Sequence, residues 1–462
     1  MVDVTLCSPA NSQTAYPCFG FRRKVSCGPR SGVPRRGKLV PAEAGIIKDG
    51  EVRMDVDLDI RSVESSAANE IYISAKPKSA EERVTRHERR GTNRPSSIVH
   101  RLSSDEQDGQ ACEIFTGIAD ILRSKNACIL RERIFAPKKV TEQILRLRSQ
   151  IYGDLDDRVA PNVLVGKPEM TGPITAVQVH AICSDSRPEV IDVPRFRGDR
   201  LAPAKAGGQP SGRILRMPGC TYLTLSSISA GQFNKATEQA RAMMEKAESA
   251  LKQFNSDFFS VARTWMWLGS ILSWYGPFNR VRNKFFTERG LISKAGRHSI
   301  PASTGIGLGP TDGSKCAMDL IAVLEPRNSI QHLQSAGKQR CALEYGSAFS
   351  RASRAITPAG QTIFVSGTAS IDASGATTNI DDAAGQINTA IENVRAVLRD
   401  TQTTDEDVVQ AVAYCKTTEV EQIFNDFKST LAWPCITVIC DICRPDLLFE
   451  IEATAIKPAK PR

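Results

Sequence analysis

Histidine is scarce in this 462-residue chain: there are five, and none lies beyond His332. The 13 cysteines follow no regular spacing. A structural zinc site wants four convergent ligands, which this pattern does not offer. One formal CxxC, Cys440-Asp-Ile-Cys443, has no second pair and no nearby histidine. In an extended strand its two thiols face opposite sides, which argues against a metal or redox pair. No apolar signal-peptide core precedes the cysteines, so reduced thiols in a cytoplasmic setting are expected rather than a disulfide framework. No apolar run approaches the roughly 20 residues that cross a bilayer, and no membrane association is expected.

Aromatic residues are also few, at 6%. The formal charge of +9 looks like a nucleic-acid signal until it is located. Residues 1–40 hold seven basic side chains against the single acid Asp3, so +6 of the excess belongs to this segment. A nearly neutral body with few aromatics gives no support to a nucleic-acid partner. Residues 1–50, rich in Pro, Gly, Ser and Arg, read as a disordered basic tail. Their acid-poor character also resembles an organellar transit peptide.

What is present is an ordinary globular composition, 41% apolar and 24% charged, on a chain long enough for two to four units. Polar stretches at 77–110 and 184–212 read as long loops or linkers. Between them one order of elements recurs. In the last copy Gln361–Ser366 is a β-branched strand. Ile387, Ile391, Val394, Val397 and Leu398 then mark a helix face, Val408–Tyr414 a strand, and Ile423, Phe424, Phe427 and Leu431 a second helix. Strands Cys435–Cys443 and Leu447–Ile456 close it through a tight Arg444-Pro445-Asp446 turn. The middle copy runs from Thr221–Leu225 to Cys316–Leu324, and a more degenerate first copy from about Val52 to Ile182. The division is a tail 1–50, repeat 1 at 51–190, a linker 191–212, repeat 2 at 213–328 and repeat 3 at 329–462. Aligned by element order, Gln178, Asp319 and Glu450 fall at one position of the final strand. A ββαβαββ unit leaves one sheet face bare, so the copies must bury it against each other.

The run Ile442–Ala453, with Phe364–Ser370 and Ala342–Arg351, resembles the RidA/YjgF superfamily over about one repeat. Trp274–Phe285 and Pro301–Gly307 resemble its chorismatase branch. The resemblance implies an α+β fold of three RidA-like (chorismate-mutase-like) ββαβαββ repeats packed as a pseudo-trimer, with the site between repeats. The departures are a chain longer than the usual chorismatase and the lack of a histidine in Ala373–Asp381.

Strand alternation puts Phe449, Ile451, Ala453 and Ala455 on one face and Glu450, Glu452 and Thr454 on the other. Residues alone leave both glutamates as surface carboxylates or ion-pair partners of Arg444. The family likeness makes Glu450 the catalytic acid and Arg444 the clamp for a substrate carboxylate. Cys443 belongs to the same region, either as a buried structural thiol or, by the chorismatase likeness, as the position that goes with hydroxybenzoate formation. From repeat 2, Tyr275, Asn279 and Arg282 offer hydrogen bonds and charge to an anion. Arg280 and Arg282 sit about 200° apart on a helix, so one of them at most faces the site. Gly367 and Thr368, with Ser303 and Thr304, form small-residue strand ends that admit a ring; neither run is a phosphate loop.

The implied activity is release of pyruvate from an enolpyruvyl ether such as chorismate, with a RidA-type enamine or imine deaminase and a non-catalytic binding protein as alternatives. The expected partner is a small carboxylate-bearing substrate, with no metal and no organic cofactor, on a monomeric pseudo-trimer or a low-order homo-oligomer.

Overall fold

The computed structural model describes residues 56–78, 104–167, 174–198, 200–201, 208–296 and 298–458. The chain divides into two units, Met1–Lys38 and Leu39–Arg462. The first unit and the expected tail 1–50 lie outside the described residues.

Repeat 1 comprises β1 (Val56–Glu64), β2 (Ala68–Pro77), α1 (Ser104–Ser124), β3 (Cys128–Phe135), α2 (Thr141–Tyr152), β4 (Asn162–Val165) and β5 (Ala176–Ser184). Strand β6 (Glu189–Val193) and the short hairpin β7 (Phe196–Arg197) and β8 (Arg200–Leu201) follow. Repeat 2 comprises β9 (Gln209–Met217), β10 (Cys220–Ser229), α3 (Ala236–Lys252), β11 (Val261–Leu268), α4 (Tyr275–Glu288), β12 (Ala302–Ile306), β13 (Gly309–Pro310) and β14 (Cys316–Glu325). Repeat 3 comprises β15 (Gln331–Leu333), β16 (Ala352–Thr357), β17 (Gly360–Ala369), α5 (Ala383–Asp400), β18 (Val408–Cys415), α6 (Thr418–Lys428), β19 (Cys435–Ile439) and β20 (Phe449–Pro458).

Each repeat supplies the body of one six-stranded sheet on a common plan; the first sheet gains β13 from repeat 2 and the second gains β6 from the segment between repeats 1 and 2. The strand orders are β1-β2-β5-β3-β4-β13, β12-β11-β14-β10-β9-β6 and β15-β16-β17-β20-β18-β19. In every sheet the last strand of the unit inserts between the second and third, and the third and fourth run parallel. The three-repeat α+β fold is therefore present.

Local sequence explains the helices. Asp382 caps α5 by accepting from Gly385 N at 2.9 Å, and Thr417 caps α6. The stripe Ile387, Ile391, Val394 and Leu398 packs on Phe449, Ile451, Ala453 and Ala455 of β20. The opposite sheet faces meet one another. Leu130 and Phe135 of sheet 1, Trp265 and Trp267 of sheet 2, and Val412, Tyr414 and Ile436 of sheet 3 share one buried cluster.

Several boundaries differ from expectation. Helix α1 starts at Ser104, inside the stretch 77–110 expected as loop, and the linker 191–212 holds most of β6 and the start of β9. Strand β6 pairs with β9 and becomes the edge of sheet 2. Leu431 lies beyond the end of α6. The closing strands of repeat 3 are not a hairpin: β19 ends at Ile439 on the sheet edge, while β20 lies between β17 and β18. Residues 440–448 must cross one strand; the tight Arg444-Pro445-Asp446 turn is present, with Leu447 N donating to Arg444 O at 3.3 Å, but it lies within this crossover rather than at a hairpin tip.

The register also corrects the inter-repeat alignment. Arg133 of β3 opposes Gln178, Trp265 of β11 opposes Asp319, and Val412 of β18 opposes Glu452. Irregularities at Ile129/Arg131, Val261/Arg263 and Val408/Gln410 anchor this equivalence. Glu452, not Glu450, therefore matches Gln178 and Asp319. Glu450 opposes Tyr414, and its counterparts are Ala317 opposite Trp267 and Ala176 opposite Phe135. A two-residue slip keeps every side chain on its face, so alternation alone could not detect it.

Candidate active site

The recess between repeats 2 and 3 is built by a bulge. Pairing of β17 with β20 shifts register between Val365 and Thr368, which pushes Ser366 and Gly367 toward repeat 2. There Ser303 N donates to Ser366 Oγ at 2.8 Å, and Gly367 N donates to Thr304 Oγ1 at 3.0 Å. Ser366 Oγ in turn donates to Ser350 O at 2.5 Å. Strand β12 of repeat 2 is thus locked onto β17 of repeat 3. A Cβ at Gly367 would overlap Glu450 Oε1, so a larger residue there would displace the Glu450 carboxyl.

Helix α4 supplies the far wall. Tyr275 stands at its first residue and Arg282 two turns on, both lining the recess. Arg282 is 1% exposed, donates to Asn279 Oδ1 at 2.7 Å and hydrogen-bonds Tyr275. Its guanidinium lies over the rings of Phe278 and Phe349, at 5.2 and 5.9 Å. Burial lowers its pKa, and Tyr275 opposes that shift. The remaining lining includes Gly305, Tyr345, Ser347, Phe349, Cys443, Arg444 and Glu450. The space that admits the centre of a water-sized sphere is about 40 Å³, and about 500 Å³ when open solvent at the mouth is counted.

Arg444 reaches the recess from the 440–448 crossover. Its Nη1 donates to Gly375 O at 2.6 Å, and its guanidinium lies 5.5 Å from the Tyr345 ring centre. Glu450 is buried, with no ion-pair partner in contact among the described residues. Burial, then the charge of Glu452, pushes its pKa up to about 8, against the pull of Arg263 and Arg444. Burial and the neighbouring Glu450 push the Cys443 thiol up to about 12, so the thiol stays neutral.

One pleat along the same strand, Glu452 has the opposite environment. Arg263 Nη2 reaches its Oε2 at 2.9 Å, Trp265 Nε1 its Oε1 at 2.8 Å, Thr304 Oγ1 its Oε2 at 2.5 Å and Arg133 Nη1 its Oε1 at 3.4 Å. Burial raises its pKa, but Arg263 and Arg133, with the Thr304 and Trp265 hydrogen bonds, hold the carboxyl below its ordinary value. Donors from repeats 1 and 2 meet on this one side chain of repeat 3.

Of the residues singled out from sequence, Glu450, Arg444, Cys443, Tyr275, Arg282, Ser303 and Gly367 line the recess. Three do not. Asn279 holds Arg282, Thr304 joins Gly367 to Glu452, and Thr368 Oγ1 donates to Ser366 O at 2.8 Å. Tyr345, Ser347 and Phe349 were not picked out as site residues. Their signal was the aromatic spacing in Ala342–Arg351, a run otherwise too irregular to orient. Arg133, Arg263 and Trp265 read as strand residues, and only the meeting of sheets makes them a carboxylate cage. Among the described residues, no group of His, Cys, Asp and Glu side chains is arranged to hold a metal ion.

Comparison with known proteins gives a local family match and several structural likenesses. Residues 345–457 match the family model Endoribonuclease L-PSP. No curated protein matches in sequence. A solved chorismatase aligns over 71% of this chain and 93% of its own, at 18% identity and a TM-score of 0.49. A putative endoribonuclease from Thermotoga maritima aligns over 28% of this chain and 99% of its own, at 22% identity and a TM-score of 0.24. A YjgF-family member from Mycobacterium tuberculosis aligns over 28% and 100%, at 25% identity and a TM-score of 0.22. The family match thus falls on the repeat that carries Glu450 and Arg444, about a quarter of the chain, and it is this repeat that is similar to the Endoribonuclease L-PSP family.

Proposed function

We propose that this protein is a chorismatase-like enzyme that releases pyruvate from a cyclic enolpyruvyl ether such as chorismate. One observation carries the reading: a buried, protonated carboxyl, Glu450, shares a recess with two guanidiniums, Arg444 and Arg282. A carboxyl with a pKa near 8 keeps its proton at neutral pH, as a general acid must. The two segments that resemble the chorismatase branch support the same assignment, since Tyr275 and Arg282 come from one and Ser303 and Gly305 from the other.

An enolpyruvyl ether is an electron-rich double bond next to a carboxylate. Glu450 delivers its proton to the terminal carbon, and positive charge develops on the carbon bearing the ether oxygen. Water adds there, and its released proton restores Glu450. The hemiketal collapses by breaking the bond to the ring oxygen, which leaves as the alcohol with pyruvate as the other product. Arg444 holds the reacting carboxylate bidentately beside the acid. Arg282, on its aromatic shelf, meets a second anionic group on the ring. Neutral Cys443, beside Glu450, donates no negative charge to the developing cation.

The test is to incubate the purified chain with chorismate and, separately, with a generator of 2-iminobutyrate. Pyruvate release in the first, absent in Glu450→Gln, supports the proposal. Faster 2-oxobutyrate formation in the second transfers the same acid to a RidA-type deaminase. Silence in both overturns the enzymatic reading in favour of a ligand-binding protein.

A further inference from the structure

Resting on the reading of Glu450 as the acid, we propose that Glu452 is its positioning residue: a permanently ionised carboxylate, clamped by Arg263 and Arg133 of the other two repeats, that keeps Glu450 in its acid form. The argument starts from strand geometry. Residues 450 and 452 are on one face of β20, so their Cβ atoms stand about 6.5–7 Å apart. Both are buried, at 5% and 4% exposure. Two carboxylates this close in a poorly hydrated space do not both ionise without cost. Which one keeps the proton is decided by donors, and the donors are unequally shared.

Glu452 takes two guanidinium contacts, an indole N–H and a hydroxyl. No hydrogen bond reaches the Glu450 carboxyl among those described. The groups facing Glu450 elsewhere are Tyr414 on β18, Arg263 on β11, Tyr275 and Arg282 on α4, and Cys440, Cys443 and Arg444 on the crossover. The anion acting on it is Glu452, on its own strand; the thiols and phenols are neutral by burial. Arg263 leans on Glu452 rather than Glu450, and Arg133 contributes from a repeat with no residue in the recess. Repeat 1, which carries Ala176 where repeat 3 has Glu450, thereby takes part in the chemistry of a site it does not touch.

The experiment needs no substrate, so its failure is distinct from failure of the enzymatic reading. Infrared difference spectra across a pH titration report the carbonyl stretch of a protonated carboxyl. The parent should show a band that titrates near pH 8 and disappears in Glu450→Gln. In Glu452→Gln the midpoint should fall by at least one pH unit, and in the charge-keeping Glu452→Asp it should stay close to the parent. Where turnover is measurable, the alkaline limb of the kcat profile should move down with the band. Should Glu452→Gln alone fail to fold, the charge-matched pair Glu452→Gln with Arg133→Gln carries the same expectation. An unmoved midpoint in a folded variant lacking the Glu452 charge overturns the proposal, as does a parent with no titrating band near pH 8.

Discussion

The cleft between repeats 2 and 3 and its counterpart between repeats 1 and 2 share one backbone plan and differ in a few side chains. Thr304, which binds Glu452 in the first, is matched by Asn162, whose Nδ2 lies 2.9 Å from both carboxylate oxygens of Asp319 in the second. Gly367 at the bulge is matched by Ser227, with φ at 57°, whose N–H and hydroxyl bind Asp319 and Asn162. Where Glu450 stands in the first, Ala317 stands in the second. Strand β13 pairs with β4 along the edge of the second cleft. In the second cleft the polar groups satisfy one another. The first pairs its inner carboxylate in the same way, yet keeps an outer carboxyl and two guanidiniums around empty space. Pairing of inner polar groups holds the repeats together; the outer set, in which Glu450 has no ion-pair partner among the described residues, is the one the proposed substrate would use.

That contrast can be broken at its strongest point first. Glu450→Gln keeps size and packing but has no proton to give, so kcat on the substrate identified above should fall by about 10²–10⁴-fold. Full activity would remove Glu450 from the mechanism. Next in size is the inner position. Glu452→Leu strands two guanidiniums in the interior and should cost about 3–5 kcal/mol in chemical denaturation. Asp319→Ala in the other cleft unpairs neutral hydrogen-bond donors, Asn162 and the Ser227 N–H, and should cost about 1–3 kcal/mol, with turnover unchanged. Equal costs at the two would mean that the arginine cage adds nothing to the interface.

A third outcome concerns binding. Arg444→Ala should weaken substrate by about 1.5–3 kcal/mol, read as a raised KM with a smaller change in kcat. A fourth outcome concerns stability against pH. Native Glu450 holds its proton up to about pH 8, whereas the unfolded chain releases it near 4.5. Native protein then binds the extra proton between those values, so stability should fall as pH rises through that window. Glu450→Gln should lose this slope and be the more stable protein at pH 8, by thermal unfolding, while matching the parent at pH 4. An equal slope in both would show that Glu450 is not the buried acid.

Much of the site was legible in the chain because strand alternation and a short motif are local. Phe449, Ile451 and Ala453 had to face the helices, which left Glu450 and Glu452 for the face between repeats. Arg444, Tyr275, Arg282 and Ser303 came with recognisable runs. What alternation could not do was tell position 450 from 452, because both obey the period of two. Glu452 was expected to be the lesser neighbour and is the most heavily bonded carboxylate between the repeats. Arg133 and Arg263 were silent for a related reason: an arginine on a strand looks solvated until another sheet covers it.

The sequence by itself determined the α+β class, the threefold recurrence of a ββαβαββ order and the faces of the last strand, since hydrophobic period and helix caps act within a few residues. Only the tertiary structure decided that the closing strands are separated by a crossover, that β12 of one repeat locks onto the bulge of the next, and which carboxyl is ionised. Those outcomes depend on distance and desolvation between residues far apart in the chain, 63 positions for Ser303 and Ser366 and 189 for Arg263 and Glu452. Arg263 sits beside Glu452 only after three sheets bury a common face.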